Sequence, residues 1–302
     1  MLHKRTKKVY SIIINHNGRQ YLKDCLGTLS KVAVKGYKHK IILIDNASLD
    51  DSVTYIKKKF PKVRVKIFHR NKGFTGGVNF GIKYAIRHKA KYVLLLNNDT
   101  KVYPPFLQEL ISFADRKADA GIVSPLIFFP GVKKKIWFAG GNIDPVRFSS
   151  IHSLFGEINT KIDKKPYKSQ YLSGCAMLVK NKAFEKLGFF DERFFLYYED
   201  VDYCLRAEKE GFNCYVDPKA KIIHKQRPSE LDEAHKEYYL TRNHLLLLNK
   251  HASLKIKIRE HIRTVKTAYE KMGAQDSLKA QYALMGIKDY LLGRFGKREH
   301  WY

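Results

Sequence analysis

The sequence predicts an α/β protein: a mostly parallel sheet covered by helices, with a helical appendage at its C-terminal end. Three observations predict it. Short apolar runs alternate with segments of helical period through the first 125 residues. Three of those runs, SIII, IILI and VLLL, are continuously apolar, as strands buried on both faces are. Residues 230–295 carry mostly helical periodicity instead. With 302 residues and 44% apolar content, the chain has enough to bury one large core or two small ones.

The strand candidates of the first half are residues 9–14, 40–44, 63–68 and 92–96. Helices are expected between them. Leu22, Cys25, Leu26 and Leu29 recur on one face, as do Val53, Ile56 and Phe60, and then Val78, Ile82, Ala85 and Ile86. Each segment has the length of a crossover. Past residue 125 come a Gly- and Pro-punctuated stretch to residue 166, a strand-like run at 170–179 and two helices around a polar loop. In the tail, Ala280, Leu284, Ile287, Leu291 and Phe295 form an apolar stripe, and residues 249–302 hold twelve basic against five acidic side chains. Such a tail either packs on the body with a solvated basic face or also touches an anionic membrane.

Fifty-seven basic against twenty-nine acidic residues give a net charge of +28, which favours a polyanionic partner: nucleic acid, an anionic membrane surface or a phosphorylated substrate. The longest uncharged apolar stretch, residues 120–132, is shorter than the ~20 residues of a spanning helix and is broken by Pro125 and Pro130. Asn15 and His16 interrupt the apolar run behind the basic N-terminus before a signal-peptide core can form. The expected location is therefore the cytoplasm. Cys25, Cys175, Cys204 and Cys214 lack the close spacing of a zinc or redox site and read as reduced packing residues.

Polar residues stop the apolar runs at three places: Asn15, His16, Asn17 and Gly18; Asp45 and Asn46; Asn97, Asn98, Asp99 and Thr100. Any one of these is an ordinary turn, but ligands of open parallel sheets bind outside the carboxyl ends of the strands, and three stops at one edge suggest a pocket. The segment NKGFTGGVN, residues 71–79, precedes a helix and offers backbone N–H groups to an anion, without being a Walker or GxGxxG motif. FDERFFLYYEDVD, residues 190–202, sets aromatics around five carboxylates, with Arg206 four residues after Asp202. Acids in the first turn of a helix and an i,i+4 ion pair account for this pattern; so does a carboxylate kept partly dry to serve as a general base.

In order along the chain, SIIINHNG, IILIDNASLDDS, NKGFTGGVNFGI, YVLLLNNDT, YLSGCAML, FDERFFLYYEDVDYCLR and YYLTRNHLLLL resemble the motifs of inverting nucleotide-sugar glycosyltransferases of the GT-A fold. The resemblance is to family 2, especially its rhamnosyltransferase-like branch, and covers roughly residues 8–250. It implies a UDP- or dTDP-sugar donor. Asp45 would hydrogen-bond the pyrimidine, Asn15 and Asn17 would line the base pocket, and Asn71 with the glycine turn at Gly76 would close over the nucleotide. Asn97 and Asp99 hold the DxD position, where carboxylates bind a divalent metal, Mg²⁺ or Mn²⁺. Asn97 departs from that pattern and leaves Asp99 as the only charge. His224 matches a position that approaches the metal or diphosphate in some relatives; otherwise it is a strand-end histidine. Ser173 and Gly174 would turn tightly beneath the sugar, or simply allow close strand packing. Asp200 matches the catalytic base, with Glu199 the second candidate, and Glu199, Asp191 and Trp137 would face the acceptor. Arg242 and Asn243 read by default as a solvated polar edge beside core leucines.

The implied organisation is a catalytic domain at 1–230, with a nucleotide-binding half at about 8–125 and an acceptor half at about 126–230, then a basic helical extension at 231–302. The expected reaction moves a sugar, with rhamnose the candidate that the resemblance brings, from a nucleotide diphosphate to a polysaccharide or a polyprenyl-linked glycan at the inner face of the cell membrane, where basic residues are attracted to anionic lipid. Two other classes compete. A nucleotidyltransferase would use a similar sheet, but no basic fingerprint follows the first strand. A basic nucleic-acid-binding protein would account for the charge, but no zinc or RNA-recognition motif is present, so no specific nucleic acid is expected.

Overall fold

The apolar runs of the first half become neighbouring strands. The computed structural model describes residues 6–132, 135–158, 162–225, 233–272 and 277–299. In chain order, its first half comprises Lys7–Asn15 (β1), Arg19–Leu29 (α1), Tyr37–Asp45 (β2), Ser52–Lys59 (α2), Arg64–Ile67 (β3), Gly73–Arg87 (α3), Tyr92–Asn97 (β4), Thr100–Val102 (β5), Phe106–Arg116 (α4) and Ala120–Phe128 (β6). There follow Ile136–Phe138 (β7), Gly141–Ile143 (β8), Ser150–His152 (β9), Tyr167–Ser169 (β10), Ala176–Lys180 (β11), Asn181–Leu187 (α5), Glu199–Lys209 (α6) and Asn213–His224 (β12). The chain closes with Glu233–His251 (α7), Leu254–Met272 (α8) and Ser277–Leu291 (α9).

The main sheet runs β10-β12-β6-β11-β4-β1-β2-β3, with β5 on β12 and β7 on β6. Strands β1 to β4 pair in parallel, and β11 enters antiparallel between β4 and β6. The chain steps from β1 outward to β3 and then returns across β1 to β4. That reversal opens a crevice at the carboxyl ends of β1 and β4. Helix α3 makes the return and lies close on the sheet: a Cβ at Gly77 would come within 2.8 Å of Ile14, and one at Gly81 within 2.6 Å of Ile12. The continuously apolar runs sit in the middle of the sheet, whereas the edge strand β3 has mostly exposed side chains.

Two expectations change, and a third is not reached by the described residues. The run at 170–179 is not one strand: the chain turns through Ser173 and Gly174 between β10 and β11, because the Gly174 N–H is bonded to a side chain of α6 rather than to a strand. The tail stripe holds at Ala280, Leu284 and Ile287, but Leu291 is 71% exposed and Phe295 lies past the end of α9. The boundary at 230/231 lies outside the described residues. Beyond it, α7 shares the main core through Leu246 and Leu247.

Candidate active site

The parallel register sets the polar stops side by side: Asn15 pairs with Asp45, and Ile14 with Asn97. Asn15 joins them. Its Nδ2 donates to Asp45 Oδ1 and to Ser48 Oγ, each at 3.1 Å, and its Oδ1 accepts from Asn98 Nδ2 at 2.8 Å. Ser48 donates to Asp45 through Oγ at 2.6 Å and through its backbone N–H at 3.0 Å. Asp45 thus uses three of the about four acceptor directions of a carboxylate. Asn17 donates its backbone N–H to Ser48 Oγ at 3.0 Å and accepts the Leu49 N–H at 2.8 Å. A Cβ at Gly18 would fall 2.1 Å from Asn98 Nδ2, so the chain passes this network without a side chain. Asn46, named from the sequence only as part of a polar stop and given no role there, ties in the glycine turn: its Nδ2 donates to Asn71 Oδ1 at 2.8 Å and to the Gly73 carbonyl at 3.0 Å. Gly76 is buried inside α3, where an added Cβ would meet Lys72 Cβ at 2.7 Å.

Beside this edge is a cavity of about 430 Å³, lined by Asn97, Trp137, Ser173, Gly174, Glu199, Asp200 and His224, with Phe74, His152, Tyr171, Lys236 and Leu240 around them. Asn15, Asn17, Asp45, Asn71, Gly76, Asp99 and Asp191 do not line it. A second cavity of about 540 Å³, bordered by Ile136, Asn142, Glu157 and Ser169, contains none of the expected residues. The chemistry points to the first, which has two carboxylates in it.

Those carboxylates stand at the start of α6. Asp200 Oδ2 accepts the Gly174 N–H and its Oδ1 the Val201 N–H, both at 2.8 Å. Burial pushes the Asp200 carboxyl up from its ordinary value, and the amides oppose it. Glu199 is pushed well above its ordinary value, first by burial and then by the charge of Asp200. Its Oε2 has no partner among the described residues. More amides favour charge on Asp200 than on Glu199, where only its own backbone N–H does so, and Glu199 is therefore the one pushed furthest toward its protonated form.

On the opposite wall, His224 Nε2 lies 3.1 Å from Asp99 Oδ2, and both residues are buried. Trp137 packs edge-on against the His224 ring at 4.3 Å. His224 Nδ1 is buried with no partner among the described residues. No group of three or more His, Cys, Asp or Glu side chains among the described residues is arranged to hold a metal ion. Asp99 and His224 bring one oxygen and one nitrogen donor side by side, donor types compatible with Mn²⁺.

Asp191, expected on the acceptor side, is turned away. It pairs with Arg193 at 2.6 Å and Lys250 at 2.7 Å, and these partners hold its carboxyl well below the usual range although burial opposes them. Asp202 binds Arg206 at 3.0 Å, Lys250 at 2.7 Å and His251 at 2.8 Å, which makes it a link between α6 and α7.

Arg242 and Asn243 are not a solvated edge; they are 1% and 0% exposed. Asn243 Nδ2 donates to the carbonyls of Phe194, Leu196 and Tyr197 at 2.8 to 3.0 Å. Arg242 reaches the carbonyls of Phe194 at 3.2 Å, Arg193 at 3.3 Å and Gly296 at 2.8 Å. Of the other carbonyls of this loop, Phe195 accepts the N–H groups of Phe74 and Thr75 from α3, and Tyr198 that of Asp202 from α6. The loop needs this grip. Phe195, Tyr197 and Tyr198 have φ of 63°, 72° and 68°, a left-handed conformation that side chains with a Cβ resist, and Glu199 follows directly. An Arg-Asn pair ahead of four leucines carried no signal beyond core packing.

A twisted, mostly parallel sheet with a polar switch-point edge and an acidic cavity beside it is the GT-A fold of glycosyltransferases. Solved structures agree. GalNAc-T7 with UDP, GalNAc and Mn²⁺ superposes with a TM-score of 0.69 at 15% identity, over 96% of this chain and 56% of that one. S. aureus TarS in complex with UDP-GlcNAc gives 0.56 at 14% identity, over 95% and 92% of the two chains. Residues 11–188 match the profile of Glycosyl transferase family 2, and the chain belongs to that family. It is similar to the dTDP-rhamnosyl transferase RfbF of Shigella flexneri, 24% identical over 83% of this chain and 84% of that protein. It is also similar to the rhamnosyltransferase WbbL of Escherichia coli, 28% identical over 72% and 83% of the two chains. A third relative, 24% identical over 76% and 82%, is the N-acetylglucosaminyl-diphospho-decaprenol L-rhamnosyltransferase of Mycobacterium tuberculosis.

Proposed function

We propose that this glycosyltransferase moves a sugar from a nucleoside diphosphate to a hydroxyl of a glycan or polyprenyl-linked acceptor, with inversion, and that Asp200 is the base. The observation that carries the reading is the carboxylate itself. It faces a 430 Å³ cavity, is aimed by two backbone amides, and has a pKa raised by burial. A base must be ionised and still want a proton. The amides favour ionisation, burial raises the proton affinity, and Glu199 holds the competing proton.

In this reading the acceptor enters between Trp137, Tyr171 and the Glu199-Asp200 pair, and Asp200 takes the hydroxyl proton as the acceptor oxygen attacks the anomeric carbon. Ser173 and Gly174 leave room for the sugar ring. Asp45, with about one acceptor direction left, receives a ring N–H of a pyrimidine, and Asn15 and Asn17 hold it in place. Asn71 holds the glycine turn over the nucleotide. Asp99 and His224, with Asn97 beside them, would hold a divalent cation. When bound, that ion neutralises charge on the departing diphosphate. Rhamnose, the sugar in the names of three relatives, is the donor sugar to test first. The domain reading that goes with this is a donor half at about 8–125, an acceptor half at about 126–230 and a helical extension beyond.

Asp200→Asn tests it. The amide keeps the size and cannot take the proton, so kcat should fall about 10²- to 10⁴-fold while donor affinity, measured by calorimetry, stays. Transfer at the wild-type rate by a folded variant removes Asp200 from this role.

A further inference from the structure

Helix α8 carries an apolar face that is exposed rather than part of any of the buried clusters. Leu254, Ile258, Ile262, Val265, Tyr269 and Met272 are between 38% and 72% exposed. Their spacing confines them to an arc of about 80° at 3.6 residues per turn. The core-facing side is separate and already used: Glu260 and Ala268 are buried, and Ile256 packs against the cluster that contains Leu245, Leu248 and Ile287. The exposed stripe is therefore surplus to folding. The helix has six Lys and Arg against two Glu, and Lys255, Arg259, Arg263 and Lys266 fall on the arc next to the stripe.

We propose that this face lies on an anionic lipid bilayer, with the stripe in the acyl boundary and the adjacent cations at the headgroups. No helix among the described residues is long and apolar enough to cross a membrane, and α8, about 28 Å long for its 19 residues, lies flat. Charge selects the occupant. A second copy of a +28 chain would bring cations against cations, and a nucleic acid offers no apolar surface for the stripe. The surface also leads to the cavity. Arg259 of α8 donates to the Val146 carbonyl, in the loop that joins β8 to β9. That hairpin exposes Ile151, Leu154 and Phe155 while Ser150 and His152 line the cavity. This deepens the proposed function, since a polyprenyl-linked acceptor is presented at such a surface, and the test below needs neither donor nor acceptor, so the two stand or fall separately.

Full-length protein is floated at low salt with vesicles of phosphatidylcholine containing about a quarter phosphatidylglycerol, and with pure phosphatidylcholine. Binding to the anionic vesicles, weaker to the neutral ones and reduced by salt, is expected. The double variant Ile258→Glu, Ile262→Glu should bind about 100-fold more weakly, while Ile67→Glu on β3, which adds one negative charge as Tyr269→Glu does, should bind as wild type. Should the double variant melt lower, Tyr269→Glu alone repeats the comparison. The proposal is overturned if wild type ignores anionic vesicles at low salt, or if the α8 variants bind as well as wild type. It is equally overturned if sedimentation shows a dimer that the α8 variants dissociate without any vesicle binding.

Discussion

Glu199 and Asp200 are neighbours in sequence whose surroundings separate them. Two amides hold Asp200 at 2.8 Å each, whereas Glu199 Oε2 is buried with no partner among the described residues. The sign of the consequence follows from linkage. Glu199 has a folded-state pKa raised above its unfolded value, so the stability it contributes is present below about pH 4.3, its unfolded value, and is lost as pH rises through the folded one. Glu199→Gln should therefore melt above wild type at pH 8, with the gap closing toward pH 4; equal melting at both pH values would mean that Glu199 is not burdened by its charge. At the other wall, Asp99→Asn leaves only neutral donors with His224. Titration with nucleoside diphosphate should show a Mn²⁺-dependent gain in affinity for wild type and little or none for the variant. Equal affinity for both, with metal or with chelator, removes the pair as a metal site.

At the scale of elements, the decisive contact is between α7 and the loop before α6. Three unfavourable left-handed backbones, at Phe195, Tyr197 and Tyr198, are held by Asn243 and Arg242 from one side and by N–H groups in the first turn of α3 from the other. Asn243→Leu keeps the bulk and removes the donor to three carbonyls, leaving buried acceptors that cost about 1–3 kcal/mol each when unmet. Melting should drop by several degrees and kcat should fall, while nucleotide affinity, set at the β1–β2 edge, changes little. A variant with lower kcat and proportionately lower nucleotide affinity would show that the loop and the donor edge are one unit.

At the scale of the whole molecule, the terminal helices are packed onto the body that carries the sheet. Leu246 and Leu247 of α7 lie in the main core, Tyr238 donates to Asp289 of α9 at 2.8 Å, and Arg242 reaches the Gly296 carbonyl. A chain ending at residue 251 keeps α7 but loses both of those anchors, so it should fold with a lower melting temperature and a reduced transfer rate. One ending at residue 225 should not fold cooperatively, because removing α7 exposes the core and frees the Asp202–Lys250–His251 cluster at once. Calorimetric melting of both truncations checks the order; wild-type stability in the shorter one would make the helical region an independent appendage.

The sheet and its polar edge were legible in the residue pattern because both rest on local periodicity. Strands buried on two faces must be continuously apolar, and their carboxyl ends must turn, so SIII, IILI and VLLL followed by Asn and Asp announce a parallel sheet with a ligand edge. The Glu-Asp pair was legible for a related reason: acids gather at a helix start. What only the tertiary structure decided is who meets whom across long separations. Asp191 and Asp202 look in sequence like members of the same acidic cluster as Asp200, yet Lys250, more than forty residues on, takes both of them. Asn243 serves a loop 46 to 49 residues earlier. The apolar stripe expected on α9 is buried where it is continuous, and the exposed one is on α8. Periodicity shows that a helix has an apolar face; only the packing of its neighbours determines whether that face is covered.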